Sequence, residues 1–460
     1  MLLNRKNGDN SEIFYIIKMY FLIILISLLF LACGETGRPP SDEELELNHN
    51  YRLLKAYFYH PERIKKYAEY EGWEVDFMYK SLEDYFCGAG HTGNCKSRYT
   101  FYYPPQEINV DDRIEQIENT PRYYSFGFER IIVKDTLVIS TVYPNSPANG
   151  VLKKRDKLLF ANDVSLTDAD INRYLNYDSL FKPSTAFTVL RGEETLILDT
   201  IVKSEVQKPT VFLDSLEGIP FIRVTEYKIR TNNTNGTYAE FKEVLKEIEG
   251  AKTAIIDIRG NPGGNIDHCS AMAAELVPLE SELVYDVYHH YDERRGNVID
   301  TVHDFARNYL KTPGAGVNIK WIILMNRGSA SCSERFTAAV KYNRRETVII
   351  GQTSYGKGIG QTYRKTYLGG FSYITCIQSY YPDGETFHGI GIPPKVQIDP
   401  EKGTDAIYIA ALEAAINDFG AEAPAKRLSS PVRLGTLPPE HKAETTEPGM
   451  HRRALFHQWE

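Results

Sequence analysis

The sequence predicts an α/β core, a mixed sheet with flanking helices, joined to a β-rich module and an N-terminal helical segment. Three observations carry this. Continuous apolar strands alternate with amphipathic helices from 206 to 420, short β-branched runs fill 121–205, and apolar residues recur at three- and four-residue intervals from 51 to 120. A chain of 460 residues can bury two or three cores. Apolar and charged contents of 42% and 25% are ordinary for a globular protein. A formal net charge of −8, with no basic block, argues against a nucleic-acid partner.

The N-terminus stands apart from the fold. MYFLIILISLLFLA (19–32) follows Lys18 and is shorter than the roughly 20 residues a spanning helix needs. It has the shape of a signal-peptide core. It ends Leu31-Ala32-Cys33-Gly34, which resembles a bacterial lipoprotein signal. That resemblance makes 1–33 a signal peptide, with Cys33 lipidated as the mature N-terminus. The expected location is the cell envelope, membrane-anchored and facing the periplasm or exterior. An uncleaved short anchor would leave the rest of the chain on the same side. Residues 34–50, rich in Pro, Glu and Asn, read as a tether. In an oxidising compartment Cys87 and Cys95, flanking GAGHTGN, are candidates for a disulfide. No His/Cys cluster has ligand spacing, so no metal is expected.

NYRLLKAYFYHPERIKKYAEY and FMYKSLEDYF make 51–120 a small helical segment. In 121–205, FGFERIIV, TLVISTVY, KLLFAND, AFTVLRG and TLILDTIV alternate as strands do. Here VYPNSPANGVLKKRDKLLFAND (142–163) and the loop Ser125-Phe126-Gly127-Phe128 resemble a PDZ domain, with Arg155-Asp156 where that pattern has Gly-Asp. The resemblance implies that the loop amides take a C-terminal carboxylate while the peptide adds as a strand. Without it, Pro144, Pro147 and Gly150 would simply mark a hairpin.

From 206, GIPFIRVTEY (218–227), TAIIDIRG (253–260) and KWIILMNRG (320–328) read as strands. YAEFKEVLKEIEG (238–250) and DHCSAMAAELV (267–277) read as helices. Ligands of such sheets bind beyond the C-terminal strand ends, where Asn261-Pro-Gly-Gly and Gly328-Ser-Ala-Ser fall. Residues 421–460 lack periodicity and read as a disordered tail.

Three serines, Ser329, Ser331 and Ser333, precede a further helical pattern, RFTAAVKY (335–342), and Lys357 lies between two glycines further on. Ser331 with Glu334 is a capping-box pattern. The same place, with free amides and the positive end of a helix dipole, also suits a nucleophile. Both readings are open on this evidence. A nucleophile needs a base, and lysine serves when burial favours its neutral amine. His388 is remote in sequence, in a glycine-rich loop. Gly351–Lys357 also fits a phosphate loop, but Gly358 replaces the Ser or Thr that holds magnesium and a strand pattern follows, which excludes that reading.

G-S-A-S-C-S-E (328–334), Y-G-K-G-I-G-Q (355–361), D-I-R-G-N-P-G-G (257–264) and HGIGIPP (388–394) together resemble the C-terminal processing, or tail-specific, serine proteases. The resemblance spans roughly 50–415. It implies a serine endopeptidase acting on proteins or peptides with accessible C-termini, without a cofactor. Ser331 would be the nucleophile, Lys357 the general base and Gln361 its positioning partner. The amide of Cys332 and one in the Gly263-Gly264 turn would form the oxyanion hole. Cys332 stands where the family has alanine, and the Ser331–Lys357 spacing of 26 is one longer than the family's. The competing expectation is a catalytically silent peptide-binding scaffold built on the same PDZ groove.

Overall fold

The computed structural model describes residues 38–82, 99–133, 136–166, 180–292, 297–399 and 403–420. The signal segment with Cys33, the Cys87–Cys95 pair and the tail lie outside them. Among the described residues no helix is long and apolar enough to cross a membrane.

The central sheet runs Val211–Leu216, Ile219–Val224, Thr253–Asp257, Lys320–Met325, Val348–Gly351 and Val396–Gln397. Its first pair is antiparallel and the rest are parallel. The continuous apolar runs follow from burial on both faces. Trp321, Ile323 and Met325 point toward the helices Gly236–Glu247, Ile266–Ala274 and Cys332–Asn343. Ile322 and Leu324 point the other way, onto Gly403–Asn417. Because the strands are parallel, the turns after Asp257 and Met325 emerge side by side at one edge of the sheet.

A second, wholly antiparallel sheet was not foreseen. Phe371–Tyr380 is its hub and pairs with Phe101–Tyr103, Ile359–Lys365 and Glu282–Asp292, which in turn pairs with Asn297–Arg307. Its residues are aromatic and polar, so no apolar run announces it. It meets the helix Cys332–Asn343 through a buried ion pair. Arg335 binds Asp286 through two bonds of 2.6 and 2.7 Å, and also donates to Ser379 Oγ at 2.8 Å.

The stretch read as a tether to residue 50 is instead helical from Asp42, in the helix Asp42–Tyr57. Ser41 and Glu44 form a capping box: Glu44 N donates to Ser41 Oγ at 3.2 Å, and Ser41 N to Glu44 Oε2 at 2.7 Å. The polar composition that suggested a tether serves burial: Glu46 is 2% exposed and accepts from Tyr102 Oη and Leu368 N. Asn50 accepts from Ser372 Oγ and Tyr79 Oη. These bonds fasten the N-terminal segment to the second sheet.

Between the N-terminal segment and the central sheet in chain order comes the β-rich unit, its strands ordered Phe128–Val133, Thr136–Val142, Lys157–Ala161, Phe187–Arg191 and Glu194–Ile197. Phe126, Phe128, Leu137, Leu158 and Phe187 fill its core. Phe128–Val133 is an edge strand among the described strands. Gly127 is obligatory before it: φ is +81°, and a Cβ there would stand 2.1 Å from Ser146 Cβ. Arg155 takes φ +74°, the left-handed conformation that glycine more often fills.

Removing one member of a buried ion pair leaves the other charge stranded, at a cost of about 3–5 kcal/mol. Arg335→Leu is expected to lose about that much in urea unfolding, and Asp286→Leu added to it to recover most of the loss. A double variant no more stable than the single one would exclude the pair as the cause.

Candidate active site

The turn after Thr253–Asp257 is built first. Burial pushes the Asp257 carboxyl up, but the charges of Arg259 and Arg223 and the Arg259 bonds hold it below its ordinary value. Arg259 binds it through bonds of 2.8 and 2.7 Å. Asn261, fully buried, donates to the Val224 carbonyl and accepts from Gly263 N at 2.9 Å. Its own carbonyl accepts from Ala330 N and from Ser333 Oγ, both at 3.0 Å, which joins this turn to the serine turn. Gly263 (φ +108°) is the closest approach between them: a Cβ there would lie 2.8 Å from Ser331 Cβ and 2.9 Å from Cys332 N.

The three serines now separate. Ser329 is fully buried, donates to the Ile258 carbonyl at 2.9 Å and accepts from Asn326 N. Ser333 is equally buried and committed to Asn261. Ser331 is different. It takes φ +54° and ψ −114°, a conformation dominated by glycine, and it opens the helix Cys332–Asn343. Holding a serine there costs on the order of 1–3 kcal/mol, and such strain concentrates at functional sites. Its hydroxyl does not cap the helix: Glu334 N donates instead to the Ser331 carbonyl at 2.9 Å. The amides of Gly264 and Cys332 donate to no acceptor among the described residues.

Glu334 closes half of the capping box, accepting from Ser331 N at 2.9 Å, and then reaches much further. Its carboxylate also accepts from Ser354 Oγ and Gly356 N, both at 2.6 Å, and from Lys357 N at 2.7 Å. Burial pushes this carboxyl up to about 7 against the pull of those four donors. One side chain thus registers the lysine loop against the serine turn, and the additional residue between Ser331 and Lys357 does not part them. Lys357 is 4% exposed and lines one small cleft with Ser331, Cys332, Ile266, Ile359 and Phe387.

Three further residues shape the lysine's surroundings. Tyr99, from the N-terminal segment, places its ring centroid 5.3 Å from Lys357 Nζ, within cation–π range. Gln361 lies beyond the cleft lining, on the strand Ile359–Lys365. It donates to Thr375 Oγ1 at 3.3 Å, and Thr375 donates to the backbone carbonyl of Tyr99 at 3.0 Å, so Gln361 is tied to the residue whose ring faces Lys357. His388, remote in sequence, is a neighbour here: Gly358 N donates to its Nδ1 at 3.1 Å. Burial and the charge of Lys357 push it down to about 4.

Cys332 carries more than an amide. It is joined by a disulfide to Cys269, 63 residues earlier, with a Cα–Cα distance of 5.9 Å. No local pattern marks this pair, which differs from the Cys87–Cys95 pair expected from the short loop between those residues. Ser125–Phe128 lie in the separate β-rich unit. There Gly127 N donates to Ser125 Oγ at 3.2 Å and Phe126 is fully buried against Phe128 and Phe187.

Residues 219–398, which hold all three turns, match the model of peptidase family S41. Over that stretch the chain carries the pattern of an S41 peptidase. It is 25% identical over 390 residues to the probable CtpA-like serine protease of Staphylococcus aureus strain MRSA252, covering 83% of this chain and 70% of that one. The Staphylococcus haemolyticus protein of the same name is 23% identical over 421 residues, covering 86% and 76%. Among solved structures, the photosystem II D1 C-terminal processing protease aligns at 17% identity and a TM-score of 0.44, over 84% of this chain and 99% of that one. A putative S41 protease of Bacteroides fragilis aligns at 13% and 0.44, over 82% and 98%. The chain is a serine-type peptidase, similar to the CtpA-like proteases.

Two measurements probe the geometry. Ser331→Gly relieves the strained backbone and Ser331→Ala does not, so the glycine variant is expected to be the more stable in urea by about 1 kcal/mol. Equal midpoints would mean that the turn relaxes. For His388 the depressed value means a contribution fully present above the ordinary value of 6.5 and lost as pH falls toward about 4. His388→Gln is therefore expected to lose less Tm than the unmodified protein between about pH 7.5 and 4.5. Parallel losses would exclude the assignment.

Proposed function

We propose that this serine-type peptidase is an endopeptidase of Ser–Lys type that selects protein substrates near their C-termini. One observation carries the reading. A strained serine whose hydroxyl does not cap its helix shares a cleft with a buried lysine, beside the Gly264 and Cys332 amides, which donate to no acceptor among the described residues.

Ser331 Oγ attacks the scissile carbonyl and its proton passes to Lys357 Nζ, which must be neutral to accept it. The resulting ammonium faces the Tyr99 ring, which favours the charged form as it appears. The tetrahedral oxyanion is met by the amides of Cys332 and Gly264. Gly263 N is occupied by Asn261, so of the two glycines Gly264 is the donor. Lys357 protonates the leaving amine, and water, deprotonated in turn by Lys357, releases the acyl group from Ser331. Gln361 steadies this arrangement through Thr375 and Tyr99.

Selection at the C-terminus rests on the β-rich unit. Phe128–Val133 presents a sheet edge that an extended peptide can join, and the Ser125–Phe128 loop stands at its start, where a terminal carboxylate would sit. The lipid anchor at Cys33, and with it a position on the envelope, belongs to the same proposal and rests on the signal-like run before it.

Ser331→Ala and Lys357→Ala are each expected to lower cleavage of an unstructured polypeptide by about 10³-fold or more while the fold persists by circular dichroism. Undiminished cleavage by either variant would exclude the mechanism. An unmodified protein that binds C-terminal peptides and cleaves nothing would instead be a scaffold.

A further inference from the structure

The disulfide joins the two turns that the reaction needs together. Cys269 lies in the helix Ile266–Ala274, which starts directly after Gly263-Gly264-Asn265. Cys332 is the first residue of the helix that follows Ser331. Both cysteines are buried, at 0% and 2% exposure, and Cys332 Sγ lies 3.0 Å from the Asn265 carbonyl oxygen. One sulfur therefore belongs to the residue whose amide is one oxyanion donor, and it rests on the residue that follows the other donor. Hydrogen bonds also join the turns, from Ala330 N and Ser333 Oγ to the Asn261 carbonyl, from Ser329 Oγ to the Ile258 carbonyl and from Gly260 N to Asn326 Oδ1, but next to Gly264 and Cys332 themselves the ties are the disulfide and the packing of Gly263 on Ser331.

We propose that the Cys269–Cys332 disulfide is a positioning element of the oxyanion hole, which fixes the distance between the Gly264 and Cys332 amides so that both reach the same oxygen. The inference rests on the Ser–Lys reading. Donors pay off only when aimed at where the oxyanion forms, and loss of one costs about 10²–10³ in kcat. A crosslink that sets two donors from separate turns acts on kcat and leaves substrate binding in the β-rich unit alone. The enzyme is then sensitive to reduction: a dithiol gives two electrons and two protons to the bond, yielding two cysteine thiols and its own cyclic disulfide.

The test uses the full chain, with the bond confirmed by thiol titration. Dithiothreitol is expected to lower kcat about 10- to 100-fold, a part of the effect of losing a donor, with KM changed less than about threefold. Reoxidation is expected to restore kcat. Cys269→Ala/Cys332→Ala is expected to show the low kcat from the start and no response to dithiothreitol, which also serves if the reductant does not reach the buried bond. Hydrogen exchange of peptides covering 261–268 and 329–335 supplies a readout independent of catalysis. It is expected to quicken by about tenfold in the reduced and doubly substituted proteins, a factor of ten corresponding to about 1.4 kcal/mol. Unchanged kcat together with unchanged exchange would overturn the proposal. So would a loss confined to Tm. If the oxidised protein cleaves nothing, the Ser–Lys reading fails by itself, and exchange alone decides whether the bond holds the two turns.

Discussion

The site depends on one buried carboxylate. Glu334 is 1% exposed and accepts from four donors, one on the serine turn and three on the lysine loop. A carboxyl taken out of water is costly unless its oxygens are satisfied, and here the satisfying groups are the backbone that must be held. The folding cost of the acid and the placement of Lys357 are thus one arrangement. Asn261 does the same for the other side, gathering Gly263 N, Ala330 N and Ser333 Oγ. Between the two hubs Ser331 is left with a strained backbone, a hydroxyl that does not cap its helix and a helix N-terminus behind it.

Much of this was legible in the chain, for identifiable reasons. The central sheet was readable because parallel strands buried on both faces are continuous apolar runs, as in TAIID and WIILM. The turns were readable because Gly263, Gly356 and Ser331 need backbone conformations or approaches that small residues permit. The second sheet was not, since Phe371–Tyr380 packs aromatic and hydroxyl side chains against the N-terminal segment and shows neither period cleanly. The helix beginning at Asp42 was hidden for the same reason: Glu46 and Asn50 look solvated and are buried.

In the site, local patterns were visible and distant partners were not. Glu334 was plain as a capping residue, but its second role lies on a loop 22 and 23 residues away. Tyr99 sits more than 250 residues from the lysine it covers. The Cys269–Cys332 bond spans 63 residues and has no spacing signature. Such partners are set by the register of the sheets, which only the folded chain displays.

The place of Tyr99 bears on the order in which a working enzyme can come into being. Tyr99, which covers the lysine, is made early by the ribosome, and Ser331 late. The strand that carries Thr375 and anchors that cover comes later still, as does the loop with His388 against Gly358. An emerging chain therefore holds Ser331 before it holds the surroundings of Lys357. The surroundings of Lys357 are complete only when the last third of the protein has folded back onto its first hundred residues.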